Sequence, residues 1–138
     1  MAESPHEIVN PPTLLPPTGF SHAVVAAPGR TVHFGGQTGH RGDGSLPDGL
    51  AAQFDQAAAN LATALAAVDA GPEHLVSLQV FVTDAGAYRA NLHALGAAYR
   101  RRLGRHYPAM ALFEVSRLFD VDALVELVAV AVVPDGDG

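Results

Sequence analysis

Ala123 to Val133, Ala-Leu-Val-Glu-Leu-Val-Ala-Val-Ala-Val-Val, limits the folds open to this chain more than any other stretch. It is rich in β-branched residues and too long for a turn, so it predicts a strand covered on both faces. Odd positions carry Ala123, Val125, Leu127, Ala129 and Ala131; even positions carry Leu124, Val128, Val130 and Val132, with Glu126 the single polar interruption. A carboxylate that loses water without gaining a partner is costly and tends to keep its proton, which suits acid–base chemistry. Two plainer readings stand beside that one: Glu126 sits on a locally wet edge of the strand, or it pairs with an arginine for structure.

The 138 residues are one domain on the usual scale, with residues 1–18 as an extended, proline-rich lead-in and residues 134–138 as a flexible tail. Hydrophobic residues at 49% against 16% charged are high and low for a domain of this size, so a second subunit is expected to cover some apolar surface. The partner expected is the chain itself, in a homo-oligomer. A net charge of −6, from 8 basic against 14 acidic residues, argues against nucleic acid and against anionic membranes as partners. No cysteine is present, which removes thiolate nucleophiles and disulfides. The first ten residues carry Glu3, His6 and Glu7 with no apolar signal core, and no stretch reads as a membrane span, so the expected location is cytoplasmic.

Taken in order, Pro5, Pro11, Pro12, Pro16 and Pro17 exclude helix from the lead-in, where Ile8 and Val9 could add a short edge strand. Ser21–Ala27 and Thr31–Gly36 flank Pro28-Gly29 and read as an antiparallel hairpin, followed by the flexible Gly35-Gly36-Gln37-Thr38-Gly39. Leu50, Phe54, Ala57, Ala58, Leu61, Leu65 and Val68 recur at helical spacing, with Asp48 as N-cap and Gly71 as stop. Leu75–Thr83 alternates as a strand. Leu92, Leu95, Ala98, Tyr99 and Leu103 mark a second helix over about 87–103, ending in Arg100-Arg101-Arg102, which is either a solvated face or a nucleic-acid patch. Ala109–Val115 reads as a fourth core strand, with Ala109, Ala111, Phe113 and Val115 on one side and Met110, Leu112 and Glu114 on the other. The order ββαβαββ predicts an α+β sheet with both helices on one face and the other face in need of cover.

No P-loop, complete dinucleotide fingerprint, HExxH or nucleophile elbow occurs, and nothing calls for a cofactor. No pair among the 7 histidines has metal-ligand spacing beside carboxylates, so no metal site is expected. His22 and His40 are candidate proton donors lining a cleft, or else ordinary hydrogen-bonded histidines.

Gly19-Phe-Ser-His-Ala-Val24, Gly35-Gly-Gln37, Val80-Phe-Val-Thr-Asp84, and Tyr107-Pro-Ala109 followed by Glu114-Val-Ser-Arg-Leu118 together resemble the Rid family, also called YjgF/YER057c/UK114. The resemblance runs from Pro11 to Val133. It implies a chorismate-mutase-like fold assembled as a homotrimer, with clefts between adjacent subunits. It also implies kinship with enamine/imine deaminases that hydrolyse 2-aminoacrylate-type intermediates to 2-keto acids and ammonia. The family's carboxylate-binding arginine, which follows the Pro-Ala pair, falls on Met110 here. Its tyrosine falls on Phe20, its cysteine on Leu112, and its last-strand glutamate, associated with the attacking water, on Glu126.

A charge-assisted bond to a carboxylate contributes about 1.5–3 kcal/mol, and leaving that carboxylate buried and unpaired costs roughly 3–5 kcal/mol. Losing it weakens transition-state binding on the order of a hundredfold or more. Free amino-acid imines are therefore poor substrates for this chain. Met110 and Leu112 share a strand face, so the cleft is expected to suit a less charged, bulkier molecule. The favoured reading is an enzyme performing hydrolase or deaminase-like chemistry on an imine, enamine or related carbonyl compound. In it Glu126 positions water or shuttles a proton, and backbone groups near Gly35, Gly36 and Gln37 and at Ala111 or Leu112 hold the polarised atom. Phe20, Ser21, His22, Met110 and Phe113 shape the cleft. The alternative is a non-catalytic metabolite-binding or regulatory trimer.

Overall fold

In the computed structural model, which describes residues 3–135, seven strands and three helices follow one another as β1 Glu7–Val9, β2 Ala23–Val25, β3 Gly29–His33, β4 Gln37–Thr38, α1 Leu50–Ala67, β5 Leu75–Val82, α2 Ala85–Ala90, α3 Leu92–Leu103, β6 Ala109–Glu114 and β7 Val125–Pro134. The main sheet has the order β3-β7-β5-β6, with β4 also on β7. β7 runs antiparallel to its neighbours, and β6 lies parallel to β5. This is the α+β architecture expected. Residues 136–138 of the expected tail lie outside the described residues, whereas Pro134 closes β7 opposite Gly29.

The helices bury one face of the sheet. Phe54, Ala57, Ala58, Leu61 and Leu65 of α1 and Leu95, Ala98, Tyr99 and Leu103 of α3 close on Leu78, Val80, Leu127 and Ala129. Along β7 the odd positions from Ala123 to Ala131 are buried, while Leu124, Glu126, Val128 and Val130 are half-buried. The expectation of a strand covered on both faces is thus met on one face only within a single chain. β6, expected in the core, is instead the sheet's outer strand, and its residues Ala111 to Glu114 are exposed.

Other boundaries move for local reasons. The proposed hairpin does not form: β2 pairs with β1, and β3 pairs with β7. Ile8 and Val9 do make a strand, so the lead-in is not wholly irregular. Its anchor is the buried His6, whose Nδ1 accepts the Ala27 N–H at 3.0 Å while Nε2 lies 3.0 Å from the Val132 carbonyl and 3.1 Å from that of His74. Gly49 (φ 89°), not Asp48, precedes α1, and no side chain caps it. α1 stops before Gly71: Asp69 adopts φ 58°, Ala70 N–H bonds back to Leu65 and Asp69 N–H to Ala66, the closing pattern usually given to glycine. The expected second helix is two, broken at Asn91. Asp84 caps α2 by accepting the Ala87 N–H at 3.0 Å, and Leu92 points to solvent at 56% exposure.

Arg100, Arg101 and Arg102 are exposed, as the solvated-face reading expects, and Arg101 and Arg102 also bind Asp55 of α1, with Nη2 atoms 2.9 and 3.0 Å from its oxygens. Hydrogen bonds from Arg102 and then Arg101 hold the Asp55 carboxyl below its ordinary range. A depressed folded-state pKa contributes stability above the unfolded value, near pH 3.9, that is lost as pH falls through the folded value. Asp55→Asn should therefore lower the unfolding temperature near neutral pH, with the gap from wild type narrowing steadily below pH 4. A gap that stays constant with pH would show that the ion pairs contribute nothing.

Candidate functional site

Two groups of site residues emerge, on opposite faces of the sheet. Glu126 stands on the open face, opposite Thr38 of β4 and Phe81 of β5, with Phe113 next in the same row. Phe81 and Phe113 stack at 5.4 Å with their planes 23° apart. The Glu126 side chain lies on the bare backbone of Gly36: a Cβ built there would come within 2.8 Å of the carboxyl carbon and Oε1. The carboxylate is half-buried and takes no hydrogen bond or ion pair from any described residue. Of the three readings open from the sequence, the structural arginine pair drops out. What remains is a solvent-reaching carboxylate between Thr38 and Phe81, positioned by a glycine. Gln37 is opposite Leu127, so it belongs to the other face, and its amide donates to the Gly35 carbonyl at 3.2 Å.

The second group lines a cleft of about 300 Å³ formed by Thr18, Phe20, Val80, Tyr88, Met110, Ala111 and Leu112. Met110 lies opposite Leu78, which turns its side chain toward the helices, where it packs on the core. Phe20 enters from the lead-in, held by its neighbours. Ser21 is buried, its hydroxyl donating to the Tyr107 carbonyl at 2.6 Å, and its N–H bonds Pro108. His22 Nε2 meets the Leu15 carbonyl at 2.8 Å, and its ring edge packs on Phe20 at 5.3 Å. Ser21 and His22 therefore position Phe20 instead of presenting free polar groups. Every described residue lining this cleft is uncharged.

Phe20, Met110, Ala111 and Leu112 thus come together, and Glu126, Gly36 and Phe113 come together, but the two groups do not meet within one chain. Glu126 and Met110 are two strand spacings and three residues apart, roughly 10 Å in each direction, and face opposite ways. His40 lies away from the cleft, its Nδ1 against the Thr38 hydroxyl and its Nε2 2.8 Å from Asp120 Oδ2. Backbone donation from Asp122, then the contact with His40, lowers the Asp120 pKa. Sequence reasoning missed Tyr88. Starting the helix at residue 87 hid the Asp84 cap, and counting one turn from that cap would have placed Tyr88 on the inner face.

The family model described as endoribonuclease L-PSP matches residues 12–133. The chain belongs to the Rid family. It is similar to YyfB, a Rid protein from Yersinia pestis, at 33% identity and TM-score 0.83 over 93% of this chain and 98% of that one. The RutC family protein UK114 of Drosophila melanogaster is 32% identical over 118 residues, 84% of this chain and 80% of that protein. RidA from an Antarctic Psychrobacter shows 25% identity and TM-score 0.66 over 83% and 88% of the two chains. As a Rid protein, this chain carries methionine at the position after the Pro-Ala pair and phenylalanine at residue 20, both lining one uncharged cleft.

Proposed function

We propose that this Rid protein is a homotrimeric hydrolase or deaminase for a small imine, enamine or related carbonyl compound, without cofactor or metal, acting in clefts between subunits. The observation that supports this reading most is the Glu126 carboxylate resting on Gly36 beside Phe81 and Thr38, without a hydrogen-bond or ion-pair partner among the described residues. On the open face it needs a cover, and the cover proposed is a neighbouring subunit's outer strand, which would bring that neighbour's Phe20 and Met110 cleft to Glu126. There the carboxylate takes a proton from water as the oxygen adds to the C=N carbon, and passes a proton to nitrogen. The carbinolamine then collapses: the carboxylate takes its hydroxyl proton and delivers a proton to nitrogen as C=O forms and the C–N bond breaks, giving carbonyl product and amine or ammonia. Light scattering should give three times the 14.3 kDa chain mass; a stable monomer would leave Glu126 without its cleft.

Wild-type protein should hydrolyse imines of common amino acids poorly, because no described residue lining the cleft is a cation. Met110→Arg should restore part of this activity, and adding Phe20→Tyr more, since both side chains share the cleft. Leu112 beside the new guanidinium limits its bidentate access. The measurement is ammonia release from imines generated by an amino-acid oxidase, with the assembly checked for each variant. Strong wild-type turnover would show that the carboxylate is held elsewhere, Arg117 being the first residue to test. The endoribonuclease description of the family model suggests RNA as a second substrate class. The net charge of −6 and the engagement of Arg101 and Arg102 by Asp55 argue against it.

A further inference from the structure

Tyr88 and Thr18 line both the cleft holding Phe20 and Met110 and a second, adjacent cleft of about 510 Å³ along α3. Either volume falls in the usual range for small-ligand sites, roughly 300–1,000 Å³. The second wall is aromatic: Phe54 meets Tyr88 edge-on at 6.3 Å, and Tyr107 stacks on Tyr99 at 5.1 Å. The far end differs. Arg100 is the one charged side chain lining it among the described residues, and unlike Arg101 and Arg102 it has no carboxylate within ion-pair distance there. Its Nη1 lies over Gly96, one helical turn back, where a Cβ would approach to 3.2 Å. Glycine at 96 lets the guanidinium lie close over the helix, as the one charged group beside an otherwise uncharged lining. Midway, the Tyr88 phenol makes no hydrogen bond to a described residue, and burial raises its pKa, so it stands as a donor at neutral pH.

We infer that the two clefts form one ligand channel, and that its ligand is an amphipathic monoanion whose carboxylate is bound by Arg100 at a distance from the reacting carbon. From the function proposed above this takes only the placement of the reacting group beside Phe20 and Met110. In a free amino-acid imine the carboxylate is attached to the reacting carbon itself. Here the cation stands at the opposite end of an aromatic-lined passage, so the anion and the reacting group belong at opposite ends of a longer molecule.

The test compares binding of 4-phenylbutyrate and its neutral isostere 4-phenylbutyramide to the whole protein by titration calorimetry at fixed, low ionic strength. The acid should bind about tenfold tighter than the amide. Arg100→Gln should bring the two within about twofold of each other by weakening the acid alone, whereas Arg101→Gln, which removes a cation already engaged by Asp55, should leave the ratio in place. Gly96→Leu should weaken both. Equal binding of acid and amide by wild type, binding of neither at millimolar concentration, or a ratio unaffected by Arg100→Gln would overturn the inference, as would an equal loss in Arg101→Gln. Turnover is not read, so a protein inactive on every imine can still confirm the channel, and an active enzyme indifferent to the carboxylate sinks the channel alone.

Discussion

Glu126→Gln should reduce turnover of any imine or enamine the protein accepts on the order of a hundredfold or more, with KM and unfolding temperature little changed. The amide keeps the shape that rests on Gly36 and loses the capacity to take a proton. Stability should hold because the carboxylate has no hydrogen-bond or ion-pair partner among the described residues whose loss would strand a buried group. Single-turnover and steady-state kinetics on one substrate, with assembly verified, read the effect. Turnover surviving within a few-fold would remove Glu126 from the chemistry. A protein that binds the same ligands before and after substitution, and turns over nothing in either form, would be the metabolite-binding trimer of the alternative reading.

Gln53→Ala should cost roughly 3 kcal/mol and lower the unfolding temperature by about 10 °C at fixed protein concentration. Gln53 is 4% exposed and ties together three segments: Nε2 donates to the Pro47 carbonyl at 3.1 Å and to that of Asp122 at 3.2 Å, while Oε1 accepts the Leu124 N–H at 2.8 Å. Truncation leaves an N–H and two carbonyls facing the space the amide filled. A loss below about 1 kcal/mol would show that water from the adjoining cleft, lined by Gln53, Asp122 and Leu124, replaces the amide. Leu124 is two residues before Glu126, so catalysis should suffer as well as stability.

Local periodicity carried much of the fold. The spacing of Phe54, Ala57, Ala58, Leu61 and Leu65 located α1 and its buried face, and the run to Val133 located β7 with Glu126 on it. Partner choice was not legible, because the turn at Pro28-Gly29 is compatible with a hairpin and only distant contacts decide otherwise. His6 binds Ala27 and Val132, joining residues more than a hundred positions apart in one contact, and no pattern near His6 announces it. Asn91 broke a helix whose hydrophobic spacing runs through it, since its amide bonds the Ala87 carbonyl at 2.7 Å and its backbone leaves helical geometry. At the candidate site the residues were legible and their grouping was not. Alternation placed Met110 and Phe113 on opposite sides of β6, but which side holds Glu126 depends on the β5–β7 register.

The position of β7 between β3 and β5 bears on how the chain acquires its structure during synthesis. β3, β4 and β5 all hydrogen-bond to β7 and, apart from the outer β5–β6 pair, none has another neighbour in the main sheet. Residues near 30 and near 80 thus wait for residues near 130 before they share a layer, a high contact order that slows closure. While the ribosome works through the interval at roughly 5–20 residues per second, α1 and α3 can form and pair through Asp55, but the sheet they cover cannot. A nascent chain halted before Val125 would expose the apolar faces of both helices and of β5, and is the species most dependent on chaperones.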